Sequence, residues 1–410
     1  MEKTTASNGE PTYYTTLKAA VDAIGGNGVV NLHSDISLTS SADEITSFSS
    51  FDTLTINGNG YTITHTSNTG DEFSILNSTA SSSSPTALYL NNVKIISNGT
   101  AGSTYTATIF GGVSRSPSLI QLSEDTYIEA ENNDISELTT IRGGTLVANN
   151  RYVCFGGIVE NAKVTTKEGR GNFKNCVINI VSGGQIGAHG RIDSCNITCD
   201  AISAVPIKCR EIKDSNIYCT GGTLSVVILD HPGLSVGTRY RMYNCRVLSL
   251  SSGNAVYAQY APIANSYIYS ENGQALRLLN TNTERDYCSN ITAITNSSNH
   301  SAVSVRTGSV EIQIEGLTAK CLNPANPQPA LLFRHFGSST NKCRLVNSQI
   351  ITVQNPLAYN ISADGPGGAS PFYYFYDNKM SEIGLGIEWL NGQSNAASNT
   401  LDAYGNGQIG

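Results

Sequence analysis

Charged side chains are scarce in this chain of 410 residues. Asp, Glu, Lys and Arg make up 14% of it, against about a quarter in an average globular domain, which disfavours a charged disordered tail. The 25 Lys and Arg are outnumbered by 32 acids, for a net charge of −7, whereas nucleic-acid binding needs clustered cations. No apolar run approaches the roughly 18–20 residues that span a bilayer. We therefore expect neither a nucleic-acid partner nor insertion into a membrane.

Two short sequence signals are also missing. The first seven residues lack the apolar core of a secretory signal, so we expect either a protein made without Sec export or a mature chain restarted with Met. The ten cysteines form no C-x-x-C pair, which disfavours a zinc ribbon and a thioredoxin-type site. We expect no metal and no cofactor.

What the chain has instead is Asn, Gly, Tyr and a repeated phrase. The phrase consists of Asn or Asp, a small residue, any residue, and then Ile or Val, and we call its fourth residue the anchor. Most steps between anchors lie between 19 and 33 residues. The anchors are Ile95, Ile135, Val164, Ile178, Ile197, Ile217, Val247, Ile268, Ile291, Leu317, Ile350 and Met380.

Each phrase predicts a short strand whose anchor, and the residues two positions away, point inward. One such strand cannot bury its apolar face, but stacked copies can. The pattern therefore predicts an all-β fold, a right-handed single-stranded parallel β-helix or solenoid. Cysteines recur at inward positions and are predicted to be buried free thiols. Those at shared positions are Cys176, Cys195 and Cys245, two before the anchor, and Cys199 and Cys219, two after it.

A polar column precedes the anchors by three residues, and one helix precedes the strands. Stacked Asn and Asp side chains at that column predict a structural ladder. Residues 16–26 predict an α-helix with Thr15 or Thr16 as N-cap and Gly25-Gly26 at its end, placed to cap the solenoid. The predicted organisation is an N-terminal tail (1–11), a capping helix and first strand (12–32), the β-helix (33–385) and a C-terminal extension (386–410).

Three features together resemble the pectin-lyase-like right-handed β-helix superfamily. They are the helix followed by GGNGVVNL, the segment LTINGNGYTI at residues 54–63, and the Asn-x-x-Ile repeats. The resemblance covers roughly residues 12–385. The superfamily includes polysaccharide lyases, glycoside hydrolases, and bacteriophage tailspikes and fibres, so the resemblance implies the fold and leaves the chemistry open.

Carboxylate chemistry has weak support in the sequence. Residues 187–190 and 206–208 resemble two polygalacturonase motifs, but no Asp-Asp pair precedes them, so the acid and base of that family are missing. The best candidates for catalysis are Glu211, Asp230 and His231, with Arg239 and Arg241 nearby. Paired carboxylates can divide the roles of acid and base, but ordinary loop polarity explains the same neighbours.

Outward positions hold a clearer cluster. Tyr218, Leu248 and Tyr269 each follow an anchor by one residue, and Arg246 and Tyr267 each precede one. We call these five residues the contact face. Exposed Tyr can stack on a sugar ring or pack against another subunit, while the β propensity of Tyr accounts for some of the clustering. We expect this face to make contacts rather than to catalyse.

The favoured interpretation is a structural or receptor-binding virion fibre or tailspike component, made in the host cytoplasm and located in the virion. Its expected partners are two more copies in a homotrimer, other virion proteins and a host surface polysaccharide. One alternative is an extracellular polysaccharide lyase or glycoside hydrolase, which acids within about 5–10 Å of each other in a groove would favour. Another is a bacterial surface adhesin, which needs an export signal.

Overall fold

A computed structural model places most of the chain, in two compact units, Met1–Ile197 and Thr198–Gly410. No helix in the described part of the chain is long and apolar enough to cross a membrane. The residues described are 3–5, 12–24, 28–45, 53–67, 73–76, 87–99, 108–110, 117–187, 190–200, 205–221, 224–229, 241–259, 261–280, 286–307, 312–335, 342–352, 359–363, 372–382, 386–395 and 400–402.

The first unit contains one α-helix, α1 (Leu17–Ala23), a 3₁₀ helix (Ser41–Asp43) and 17 strands among its described residues. The strands are β1 (Lys3–Thr5), β2 (Thr12–Tyr13), β3 (Gly28–Leu32), β4 (Ile36–Leu38), β5 (Thr53–Asn57), β6 (Thr62–His65), β7 (Ala87–Asn91), β8 (Lys94–Ser97), β9 (Thr108–Phe110), β10 (Leu119–Leu122), β11 (Tyr127–Ala130), β12 (Asp134–Glu137), β13 (Thr140–Arg142), β14 (Thr145–Glu160), β15 (Lys163–Lys174), β16 (Val177–Ile186) and β17 (Arg191–Asp193).

Strand β18 (Asn196–Cys199) contains the boundary, and the described part of the second unit has strands and no α-helix. Its strands are β19 (Ile207–Lys208), β20 (Glu211–Lys213), β21 (Asn216–Cys219), β22 (Ser225–Leu229), β23 (Arg241–Tyr243), β24 (Arg246–Ser249), β25 (Asn254–Gln259), β26 (Ile263–Ser270), β27 (Leu276–Asn280), β28 (Asp286–Thr295), β29 (Val303–Thr307), β30 (Ile312–Glu315), β31 (Thr318–Cys321), β32 (Leu331–His335), β33 (Lys342–Val346), β34 (Gln349–Thr352), β35 (Tyr359–Ala363), β36 (Phe372–Glu382), β37 (Gly386–Asn395) and β38 (Thr400–Asp402).

Parallel pairing joins β3–β17 of the first unit into ladders, in which a strand pairs with a strand of the next repeat. The positions of the two ladders described next carry buried side chains, and each fully buried Ile, Leu or Val contributes about 1.5–3 kcal/mol. The central ladder aligns Ile36, Ile63, Ile95, Ile128, Leu146, Val164 and Ile178. A second ladder aligns Leu54, Leu88, Ile120, Ile141, Val159, Phe173 and Ile192.

The second unit repeats this plan with its own parallel ladders. Its central ladder aligns Ile217, Val247, Ile268, Ala293, Ala319, Ile350 and Met380. A lateral ladder aligns Ile207, Val227, Val256, Leu276, Val303 and Leu331. The prediction of an all-β chain with parallel strands and a single α-helix is confirmed for the residues described.

One predicted anchor lies outside the central ladder. Ile95 pairs with Ile128, whereas Ile135 lies on β12, which pairs with β9 and β14. The repeat phrase also stands before Ile128, as Asp125-Thr126-Tyr127-Ile128, but the prediction took the neighbouring phrase that ends at Ile135. Asp125 does not adopt the left-handed conformation of the polar column. The hydroxyls of Ser123 and Thr126 take over at that turn, and Thr126 Oγ1 donates to the Leu90 carbonyl at 2.9 Å.

Two further anchors were placed two residues too early. Ala293 and Ala319, rather than Ile291 and Leu317, stand in register with Ile268. A shift of two keeps the same face of a strand, so Ile291 and Leu317 are buried as predicted. Ala at the true anchor carries too small an apolar signal for the phrase to reveal it.

The polar column is confirmed as structural, and its backbone explains its composition. Its members have φ between 45° and 55°, the left-handed region that Asn and Asp tolerate better than other non-glycine residues. Their side chains also bond along the stack, as when Asn244 Nδ2 donates to Asp214 Oδ1 at 2.7 Å. The predicted members in this conformation are Asn92, Asn161, Asn175, Asp214, Asn244, Asn265, Asn347 and Asp377, whereas Asn132 is not among them.

All ten cysteines are buried and none forms a disulfide, as predicted from their inward positions. The thiols of Cys176 and Cys195 are hydrogen-bonded neighbours, and so are those of Cys199 and Cys219. Burial raises the pKa of the Cys154 thiol to about 11. The Cys154 thiol is therefore protonated and shielded at neutral pH.

Antiparallel strands occur in both terminal regions. In the first unit, β1 pairs with β2 and β3, and α1 buries Leu17, Ala20 and Val21. Thr16 Oγ1 accepts a hydrogen bond from the Ala19 amide at 3.1 Å, which makes Thr16 the N-cap. In the second unit, β37 lies in the segment expected as a C-terminal extension and pairs antiparallel with β36 and β38.

Candidate functional site

The contact face lies on three successive strands of the central ladder of the second unit. Tyr218 on β21 is in register with Leu248 on β24, which is in register with Tyr269 on β26. Arg246 and Tyr267 form the parallel row beside them. These positions alternate with buried anchors, so the side chains point outward. The structure therefore brings together all five residues that the sequence predicted as one surface.

Aromatic and cationic groups stack along this face. Tyr218 is 42% exposed, Arg246 is exposed and Leu248 is half-buried. The Arg246 guanidinium lies over the Tyr267 ring, 5.6 Å from its centroid. This cation–π contact holds the arginine against the sheet and directs its remaining donors outward. The face combines flat apolar surface with hydrogen-bond donors.

A carboxylate holds the last tyrosine of the face. Tyr269 donates its hydroxyl hydrogen to Glu271 Oε2, and Asn296 Nδ2 donates to Glu271 Oε1 at 2.8 Å. Burial first, and then the Glu271 carboxylate, raise the pKa of Tyr269 to about 12. The two hydrogen bonds lower the pKa of Glu271. Tyr269 is therefore neutral over the physiological range and fixed in one orientation.

The ladder continues the face beyond the predicted residues. Ile294 on β28 is in register with Tyr269, and Lys320 on β31 is in register with Ile294. Both side chains are half-buried. Sequence reasoning missed them because the anchors of their two strands were placed two residues too early.

Of the three weak catalytic candidates, Glu211 alone lies among the described residues. Glu211 is half-buried on β20, in register with the backbone of Arg241. Asp230, His231 and Arg239 lie outside the described residues. The suggestion that Glu211 works with Asp230 and His231 therefore stays a prediction. Among the residues described, no group of three or more His, Cys, Asp or Glu is arranged to hold a metal ion.

Sequence reasoning missed a cavity in the second unit. It has a volume of about 330 Å³. Its lining consists of residues on β25, β27, β29 and β32 and in the turns that precede the last three of these strands. Arg277 and Arg306 both line it, and Arg277 is in register with Ser304 of the next strand. The signal in the sequence is weak, because these strands belong to the lateral ladder and the Asn-x-x-Ile phrase marks only the central one.

Comparison with known proteins adds no relative from which a site could be transferred. No family model matches the chain, and neither does any curated protein or solved structure. The geometry of its own residues is what supports the function of this protein.

Proposed function

We propose that this protein is a structural, receptor-binding component of a virion fibre or tailspike that contacts a host surface glycan through the contact face. The observation that carries the proposal is the in-register row of Tyr218, Leu248 and Tyr269 with Arg246 beside it. Sugar rings present apolar faces that stack on aromatic rings and hydroxyls that bond to guanidinium donors. The virion location rests on the resemblance stated above.

The proposal includes the finer description of the fold. Each unit is built as a right-handed parallel β-helix of the pectin-lyase-like kind, with α1 covering an open end of the first. Parallel ladders joined by crossovers, with interior Ile, Leu and Val, support the helix, and the handedness follows from the general preference of parallel crossovers. The copies associate as a homotrimer attached to other virion proteins.

Glycan binding by the contact face is tested with a double variant, Tyr218→Ala with Tyr269→Ala. Host-cell or glycan-array binding is measured beside light scattering, which reports the assembly. Each lost stacking contact weakens binding by about two- to tenfold. The matched control is Tyr287→Ala, which removes an exposed tyrosine of the second unit outside the face. The Tyr287 hydroxyl donates to Glu315 at 2.6 Å.

The outcomes separate the alternatives. Reduced glycan binding with an intact assembly supports the proposal. Loss of the assembly instead identifies the face as a subunit interface and contradicts its role in glycan binding. Cleavage of a glycan by the unmodified protein that disappears in a Glu211→Gln, Asp230→Asn double variant favours the polysaccharide-degrading enzyme.

A further inference from the structure

The cavity near β25, β27, β29 and β32 has a lining of one charge sign. Among its lining residues are Arg277 and Arg306, and none is Asp or Glu. The chain as a whole carries a net charge of −7, so a concave site lined by two guanidinium groups and by no Asp or Glu is a local exception. A guanidinium only donates hydrogen bonds, and two of them at one cavity favour a ligand that carries negative charge.

One of these arginines is held in place by an aromatic ring. The Arg277 guanidinium lies over the Tyr257 ring, 5.4 Å from its centroid. Strand register explains the contact, because Tyr257 and Arg277 are aligned neighbours on β25 and β27. A guanidinium stacked by one face keeps the donors at its edge available to a planar carboxylate.

A buried hydroxyl at the cavity also calls for a partner. The Ser301 side chain lines the cavity, is 5% exposed, and its Oγ has no hydrogen-bond partner within the protein. A buried hydroxyl without a hydrogen bond costs about 1–3 kcal/mol, so such groups are rare unless a ligand or water satisfies them. This hydroxyl is a second, independent indication of a ligand.

Other polar groups of the lining are oriented by bonds within the protein. Ser304 Oγ donates to Gln274 Oε1 at 3.1 Å. With its carbonyl engaged, Gln274 offers its amide N–H groups. His300 Nδ1 is 2.9 Å from Ser297 Oγ, which fixes the imidazole ring at the rim. Leu332 adds apolar surface, so the cavity combines donors with a patch suited to a carbon ring.

We infer that this cavity binds an acidic sugar residue, with the sugar carboxylate at Arg277 and Arg306 and a ring hydroxyl at Ser301. A volume of about 330 Å³ lies at the lower end of the roughly 300–1,000 Å³ of ligand pockets, which suits a small saccharide. The assignment of the ligand as a sugar rests on the proposed glycan-binding function. The preference for an anion rests on the charge of the cavity lining.

The test is calorimetric titration of the full chain with glucuronate, and with glucose as the neutral sugar of matched size. Glucuronate binds and glucose binds at least about tenfold more weakly, because a charged hydrogen bond is lost. Arg277→Gln lowers the affinity for glucuronate by about tenfold or more. Arg191→Gln, on β17 of the first unit, removes the same charge outside the cavity and leaves the affinity unchanged.

A second variant keeps the test decisive if Arg277→Gln does not fold. Ser301→Ala removes a hydroxyl that makes no bond within the protein, so it lowers glucuronate affinity several-fold without lowering the melting temperature. Equal affinity for glucose and glucuronate overturns the inference, and so does an absence of heat at millimolar glucuronate. Inorganic phosphate that binds as tightly as glucuronate overturns the assignment to a sugar and leaves a general anion site.

The two proposals fail separately. The contact face is tested by glycan and cell binding of the Tyr218→Ala, Tyr269→Ala variant, and the cavity by glucuronate titration of Arg277→Gln. If cell binding is unaffected by the first variant while glucuronate affinity falls in the second, only the proposal for the contact face is lost.

Discussion

Replacing Val247 by Asp places a carboxyl inside the central ladder of the second unit. Val247 is fully buried and in register between Ile217 and Ile268. Loss of the buried valine costs about 2 kcal/mol, and burying an unbonded polar group costs about 1–3 kcal/mol more. For a unit of this size each kcal/mol lowers the melting temperature by about 2–4 °C. We therefore expect Val247→Asp to lower it by about 6–20 °C.

The matched control changes the next residue. Leu248 points outward on the same strand, so Leu248→Asp adds the same charge at the surface and should lower the melting temperature by less than about 2 °C. Desolvation raises the pKa of the introduced buried carboxyl above about 3.9. The defect of Val247→Asp is therefore smallest below that pH and grows as the pH rises through the raised folded-state pKa.

Circular dichroism melting of the unmodified protein and both variants, at pH 7 and pH 4, measures these effects. Equal melting temperatures for Val247→Asp and Leu248→Asp at pH 7 would refute the interior register. A shift of one residue exchanges the two faces of a strand, so the opposite ranking would show which register is correct.

Three further predictions use the same physical reasoning. Asn244 has φ 51°, so Asn244→Ala should be less stable than Asn244→Gly by about 1 kcal/mol in urea unfolding, and equal midpoints would contradict the left-handed turn. Burial lowers the pKa of His65 from 6.5 to about 4, below its unfolded value. Its contribution to stability is therefore present above pH 6.5 and is lost as the pH falls toward 4. Lowering the pH across that range should therefore reduce the stability of the unmodified protein, measured by denaturation, more than that of His65→Gln. Parallel curves of stability against pH for the two proteins would argue against burial. The ten thiols should react slowly with a thiol reagent in the native protein and completely after denaturation, whereas rapid native reaction would contradict their burial.

The central ladders were predictable because one phrase marks two requirements at once. The residue three before the anchor must adopt a left-handed turn, which selects Asn or Asp, and the anchor must fill the interior, which selects Ile or Val. Where either requirement is met differently, prediction fails. Ala293 and Ala319 fill their anchors with too little apolar surface to be noticed. Ile128 is a different case, because the phrase does stand before it as Asp125-Thr126-Tyr127 and the prediction took the neighbouring Ile135 instead.

The candidate sites differ in predictability for the same reason. The contact face is one residue from the anchors, so the phrase that locates the interior also locates it. The cavity lies at the lateral ladder, which no phrase marks, and its lining joins turns far apart in the chain, such as those that carry Gln274, Ser301 and Gln328. The repeat phrase reveals the register of the central ladder, so the sequence does not show which arginines of the lateral ladder lie close together.

Register along a ladder also decides how a bound glycan would respond to substitution. Equivalent side chains of successive paired strands lie about 4.8 Å apart, so Tyr218, Leu248 and Tyr269 form a row that an extended ligand can follow. A polymer that contacts several members of such a row keeps most of its affinity when one is lost, because the others hold it at high effective concentration. A short oligosaccharide contacts too few members of the row for the remaining contacts to hold it in this way. The effect of a single Tyr269→Ala change should therefore be greater for a short oligosaccharide seated at that residue than for the polysaccharide.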